Sequence, residues 1–248
     1  MTLSTSNILE AAIEMARSLR VSPSVKHLDI GSGHGELIQL LRDQKLVGRS
    51  SACDYTKTLM KLDDVDVTVV NLNEAGLPYA DCTFDLVTCT EVIEHLEHYR
   101  ETIREMYRVL KPSGILVITT PNILNLKSRI RYLVFGFFNL FGPLHMLESE
   151  LHSAGGHINP VSFFYLTHSL VDAGFQGITH SIDKRQSTST FWLVFLFLPI
   201  RIFSAITIRK EKSRYQTIDS HNEPCVRTMN SVDLLLGRTI VMGCTKPV

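Results

Sequence analysis

Apolar residues recur along this chain in two rhythms. Ile8, Leu9, Ala12, Ile13, Ala16 and Leu19 fall at helical spacing, with Ser6 or Asn7 as a cap, and predict an amphipathic lead-in helix. Short apolar runs then alternate with helical patterns: strand 25–30, helix 36–44, strand 50–53, a helix near 56–62, strand 65–70, strand 84–89, a helix near 98–110 and strand 115–119. Past Pro121 the rhythm stops, and residues 122–159 form an insertion rich in aromatics and histidine. It resumes with helix 161–173, closed by Gly174, and strand 175–182. A second insertion, 183–238, precedes a last strand, 239–245. This alternation predicts a single α/β domain over 1–248: a doubly wound, mostly parallel seven-stranded sheet carrying two apolar insertions. In such a sheet the ligand lies at the carboxyl edge of the strands.

Composition narrows the field. The 25 basic and 25 acidic side chains cancel, so no overall field gathers polyanions, and nucleic acid is not an expected partner. The five cysteines are odd in number and lack C-x-x-C spacing, which reads as small core side chains rather than a disulfide framework or a metal site. Residues 1–20 lack the basic, apolar and small-residue order of a secretory signal, so the cytoplasm is the expected compartment.

The chemistry concentrates where the first strand breaks into Gly31-Ser32-Gly33-His34-Gly35 and a helix follows at once. Glycines there allow close approach to the backbone, and the helix start offers free N–H groups. A dinucleotide fingerprint needs G-x-G-x-x-G, and here Glu36 takes the third glycine's place. A carboxylate repels a pyrophosphate, whereas Asp29 and Glu36 suit a cation. A nicotinamide-dependent oxidoreductase is therefore the less favoured reading. Asp54 ends the second strand about 20 residues further on, at the distance where a carboxylate meets ribose hydroxyls; capping a following helix is the alternative.

Asp29-Ile30-Gly31-Ser32-Gly33-His34-Gly35 resembles the first motif of the class I S-adenosylmethionine-dependent methyltransferases. The segments 69–78 and 81–87, the box Glu91-Val92-Ile93-Glu94-His95-Leu96, the turn Lys111-Pro112-Ser113-Gly114 and the stretch around His157 look like that family's later segments, in the same order. The resemblance implies S-adenosylmethionine as cofactor, no metal, and cofactor contacts at Asp29, Gly31, Ser32, Gly33, Gly35, Asp54, Tyr55, Asn71, Leu72, Thr90 and Glu91. Asn71 departs from the acidic residue common there; its amide oxygen can still accept from an adenine N–H, or it can simply shape a turn. For a hydroxyl acceptor, His157 and His95 are the candidate bases; for His95 the alternative is a helix-face residue bonding to backbone. His34 reads as a spacer, and His145 and His152 as exposed.

The run 191–208 approaches the ~20 residues that cross a bilayer, but Pro199 and Arg201 interrupt it. A single crossing would also strand the last β-segment on the wrong side, so the expectation is an interfacial or re-entrant segment with 209–212 at anionic head groups. Lys127, Arg129 and Arg131 before the aromatic run 132–141 repeat the pattern, and a buried lid or a homodimer contact is the alternative for both segments. The expected acceptor is thus a small or lipid-linked molecule reached by peripheral contact with the membrane's inner face, such as a lipid-linked glycan or prenylated quinone precursor. The match is similar to methyltransferases of ubiquinone biosynthesis and of cell-surface polysaccharides. A non-catalytic cofactor-binding subunit of a membrane complex remains the alternative to an enzyme.

Overall fold

The computed structural model describes residues 5–21, 25–144 and 156–248. His145 and His152 lie outside them. The elements in chain order are α1 (Ser6–Ser18), β1 (Val25–Ile30), α2 (Glu36–Asp43), β2 (Val47–Asp54), β3 (Val67–Val69), β4 (Phe84–Thr90), α3 (Tyr99–Val109), β5 (Leu110–Pro121), α4 (Leu126–Phe135), α5 (Phe163–Ala173), β6 (Gln176–Ile182), α6 (Ser187–Lys210), α7 (Glu223–Thr228), α8 (Val232–Leu236) and β7 (Thr239–Thr245). The seven strands form one sheet in the order β3-β2-β1-β4-β5-β7-β6. The first five run parallel, and β7 is antiparallel to both β5 and β6. β7 reverses because the insertion after β6 returns to the edge that β6 has just reached, with Ile182 opposite Ile240.

Period-two alternation divides the strand side chains between two helical layers. Leu28, Ile30, Val87, Cys89, Leu116, Ile118, Ile240 and Met242 face α3 and α5, where Ile103, Met106, Leu166 and Leu170 complete one core. Leu86, Val117 and Val241 face Ala12, Ile13 and Ala16 of α1 and Leu37 and Leu41 of α2. The cap of α1 is Thr5, not Ser6 or Asn7; Ser6 already belongs to the helix.

Other boundaries move for tertiary reasons. β2 starts at Val47 because β1 pairs with it through polar Arg49, Ser50 and Ser51, where an apolar pattern gives no signal. Residues 56–62 form turns instead of a helix, tied by Asp54 Oδ1 accepting from Thr56 N at 3.4 Å and by the Thr56–Thr58 hydroxyl pair at 3.0 Å. Met60 and Leu62 from this stretch pack on Ile38, Ala52, Val65 and Val67. Of the cysteines, Cys53, Cys89 and Cys244 are buried in the sheet, Cys225 is half-buried, and Cys82 is exposed in a turn at φ 50°.

Both insertions form helices. Asn125 caps α4 through Oδ1, which accepts from Ser128 N at 2.8 Å, and Gly136 ends it at φ 78°. α6 runs unbroken through Pro199 and Arg201, which interrupt its apolar run but not its helix: one missing N–H leaves a long hydrogen-bonded stretch on either side. α4 and α6 pack together. Their outer faces are apolar and exposed, from Leu133 at 83% and Val134 at 75% to Val194 at 78% and Phe203 at 68%.

Candidate active site

A cavity of about 330 Å³ opens along the carboxyl edge of the sheet. Of the predicted residues, Asp29, Gly31, Ser32, Gly33, Asp54, Tyr55, Asn71, Leu72, Thr90, Glu91, His95 and His157 line it, and His34 and Glu36 join them. Gly35 stands behind the wall. It has φ 81°, its N–H donates to Ser32 O at 2.8 Å, and a Cβ there would lie 2.7 Å from Met60 Sδ. A Cβ on Gly31, at φ 70°, would come within 2.2 Å of Val92 Cγ2. At these two positions glycine therefore clears space for neighbouring side chains, not directly for a ligand as the sequence reading supposed.

Asp54 braces the glycine turn. Oδ2 accepts from Gly33 N at 2.9 Å while Oδ1 takes Thr56 N, so the carboxylate shapes the loop and also faces the cavity. Each oxygen retains a second lone pair for a hydroxyl. Asn71 is similarly double: Oδ1 accepts from Asn73 N at 3.1 Å, the turn-shaping role, while the residue lines the cavity.

Asp29 ends a buried chain of hydrogen bonds. The Thr88 hydroxyl donates to Asp29 Oδ1 at 2.6 Å, and its single proton being used, it accepts from His27 Nε2 at 2.8 Å; His27 Nδ1 then accepts from Ser50 Oγ at 3.1 Å. Burial holds His27 neutral, its pKa down to about 3, with the positive charge of Arg42 adding to the effect. Burial likewise pushes Asp29 up to about 7, against the Thr88 bond and helped by Asp54.

At the next strand end Glu91 sits at φ 56°, its N–H bonded to Thr119 Oγ1 at 3.1 Å. Burial raises its carboxyl to about 7, opposed by the Thr119 bond and the charge of Arg238. Behind it, Glu94 is fully buried; burial first and then the charge of Glu91 push its carboxyl well above the usual carboxylate range. Its Oε2 accepts from Thr120 Oγ1 at 3.2 Å, and its Oε1 has no protein partner.

The two histidines meet edge to face, with ring centroids 4.7 Å apart. His95 Nδ1 donates to Gly156 O at 3.0 Å. His157 Nδ1 is buried without a hydrogen-bond partner, and the Leu140 carbonyl opposes the lowering of its pKa. Burial lowers both histidines, His157 to about 4 with the neighbouring His95 as second cause. Both rings are therefore neutral at pH 7 and able to accept a proton. Glu94, His95 and His157 offer ligand atoms within 4.8 Å of one another.

Sequence reasoning missed Leu140 and Arg238 in the wall. The topology held a signal for Arg238: the start of an antiparallel strand lies at the carboxyl edge of its parallel neighbours. Leu140 carried none, because it reaches the cavity through the fold of the insertion, where Arg131 Nη1 bonds the carbonyls of Phe137, Phe138 and Phe141.

Glycine turn, ribose-distance carboxylate and acid-lined wall fit a cationic sulfonium nucleoside. Residues 28–118 match the family described as "Methyltransferase domain". A demethylmenaquinone methyltransferase of Corynebacterium urealyticum is 28% identical over 158 residues, covering 62% of this chain and 63% of that protein. An uncharacterized protein of Methanocaldococcus jannaschii is 31% identical over 125 residues, 50% of this chain. The chain thus spans 52% and 63% of the length of these relatives. The crystal structure of a SAM-dependent methyltransferase from Archaeoglobus fulgidus shares the fold, with a TM-score of 0.59 at 19% identity over 97% of this chain and 95% of that one. Residues 28–118 are thus similar to a methyltransferase domain, the whole chain has the fold of a SAM-dependent methyltransferase, and the cavity is shaped and charged to suit S-adenosylmethionine.

Proposed function

We propose that this protein methylates an oxygen atom on a small, membrane-associated acceptor. The observation that carries the reading is the position of Leu140, which lines the cavity and is also 38% exposed on the apolar strap that continues α4. An acceptor with a hydrocarbon tail could follow that strap from a lipid surface to His157.

Bound S-adenosylmethionine supplies a methyl group on a sulfonium leaving group. Asp54 and the turn Gly31–Gly33 would hold the nucleoside, Asn71 and Leu72 the base, and Asp29, Thr90 and Glu91 the cationic methionine end. His157, whose neutral ring lines the cavity, would take the proton of the acceptor hydroxyl during transfer, with the Leu140 carbonyl beside it. His95, fixed by Gly156 O, packs against His157 and aligns it.

The membrane part of the proposal rests on α6. Ser187–Tyr215 is long and apolar enough to cross a bilayer, yet only 6% of its apolar window is buried in the protein. Its polar return segment stays beside it: Asn230 Nδ2 bonds Ser204 Oγ at 3.1 Å and Lys212 pairs with Glu223. Crossing would carry residues 216–223, rich in polar and charged groups, into or through hydrocarbon, so we read α6 as lying along the surface. Arg129 and Arg131 are committed to protein partners, Arg129 to Leu124 O, Met229 O and Asn230 Oδ1, so head-group contact falls to the cluster after α6.

Mass spectrometry of lipid extracts from cells with and without the protein tests the function. The expected result is a species heavier by one methylene only when the protein is present. If purified protein binds S-adenosylhomocysteine but no extract yields such a species, a cofactor-binding subunit without catalysis replaces the proposal. Flotation with anionic vesicles tests the surface, and a concentration-dependent dimer that does not float would assign the apolar faces to a second copy.

A further inference from the structure

Among the described residues that line the cavity, Arg238 is the only lysine or arginine. Its backbone is pinned at the carboxyl edge, with N–H donating to Lys184 O at 3.1 Å and C=O accepting from Asn122 N at 2.9 Å. Among the described residues its guanidinium makes no hydrogen bond or ion pair, in contrast to Arg129 and Arg131, whose side chains are consumed by carbonyls. Its charge acts on Glu91, whose carboxyl burial raises to about 7, and Asp183, which accepts from Thr239 N at 2.8 Å, directly follows the neighbouring strand β6. A planar five-donor group facing a cavity without a partner is suited to an oxyanion.

Topology says whose oxyanion. Asp54 stands at the end of β2 and Arg238 at the start of β7, four strand spacings apart, or about 19 Å. With the nucleoside over β2 and β1 and the methionine end over β1 and β4, the region beyond β4 belongs to the acceptor. Unpartnered polar atoms of Glu94 and His157 lie on that side as well.

We propose that Arg238 anchors an acidic group on the acceptor, a carboxylate or a phosphate, so that the methylated molecule is an anionic alcohol or phenol. This rests on the methyl-transfer reading of the cavity. Burial and Glu91 push the Glu94 carboxyl up, which favours its uncharged form and lessens the like charge near a bound oxyanion, and His157 remains for the hydroxyl.

The test uses the full chain saturated with S-adenosylhomocysteine, titrated by calorimetry with benzoate, phenyl phosphate and benzyl alcohol. We expect at least one anion to bind about tenfold more tightly than the alcohol, as a charged hydrogen-bonded contact should. The anion that wins identifies carboxylate or phosphate. Arg238→Gln should abolish that preference and leave S-adenosylhomocysteine affinity unchanged, while Arg238→Lys should keep part of it. The proposal is overturned if neither anion outbinds the alcohol in the natural sequence, or if Arg238→Gln weakens S-adenosylhomocysteine itself, which would make Arg238 a cofactor residue. Failure of the natural sequence to bind S-adenosylhomocysteine would instead remove the methyl-transfer reading. The comparison of probes on the natural sequence decides the matter even if Arg238→Gln does not fold.

Discussion

The two ends of the cavity are built in opposite ways. From Asp29 to Asp54 the wall comes from one strand, one turn and the next strand, held by short bonds such as Gly33 N to Asp54 Oδ2 at 2.9 Å. The far wall is assembled from His95 just after β4, Leu140 and His157 in the first insertion, and Arg238 at the end of the second, where the last strand begins. The near end is a rigid local device that one cofactor can demand of many chains. The far end can be altered by changing an insertion without touching the sheet, so acceptor choice belongs there.

The sharpest test of the near end's rigidity is Gly31→Ala set beside Gly136→Ala. Both glycines have positive φ, 70° and 78°, but only Gly31 has a neighbour, Val92 Cγ2, where the Cβ would go. Overlap plus backbone strain should cost Gly31→Ala about 3 kcal/mol or more in denaturant unfolding, against roughly 1 kcal/mol at Gly136. Equal losses would mean that conformation alone, not packing, requires the glycine.

Asp54→Ala should weaken S-adenosylhomocysteine binding by about 1–3 kcal/mol in calorimetry, since it removes both the turn brace and the acceptor facing the ribose. Unchanged affinity in a folded variant would reduce Asp54 to a loop-shaping residue.

Charge at the methionine end gives a pH signature. Asp29 and Glu91, both raised to about 7, ionise as pH climbs through that value. A cationic sulfonium should therefore gain affinity severalfold from pH 6 to 8 relative to the neutral thioether of S-adenosylhomocysteine. Stability moves the other way. A carboxyl whose folded pKa is raised binds its proton more tightly when folded, so its contribution is full below the unfolded value near 4 and is lost as pH rises through 7. Asp29→Asn should flatten both trends. A ratio of affinities that does not change with pH would place the sulfonium away from these acids.

The smallest effect on folding is expected in the apolar helices. Phe195 and Phe197 are exposed at 60% and 42%, so replacing both with serine should change stability by less than about 0.5 kcal/mol each and leave cofactor binding intact. Vesicle flotation should nonetheless fall. Persistent flotation would move the membrane contact off α6, and a large loss of stability would reveal a buried interface there.

Much of the near end was legible in the sequence. The alternation of apolar runs with helical patterns, the three spaced glycines and the acid ending β2 are local signals. They forecast seven strands, with β1 and β7 at their observed bounds. What the sequence could not show was set by pairing and packing at a distance. β2 extends over polar residues because β1 offers a ladder there, and 56–62 becomes turns because Asp54 and the threonines take its N–H groups. The reason Gly31 must be glycine lies in Val92, sixty residues later in the chain and visible only in space. Likewise the bare Nδ1 of His157, the wall position of Leu140 and the unpaired Arg238 arise where distant segments converge on one edge, because hydrogen-bond partners and burial are properties of neighbours that the linear chain does not name.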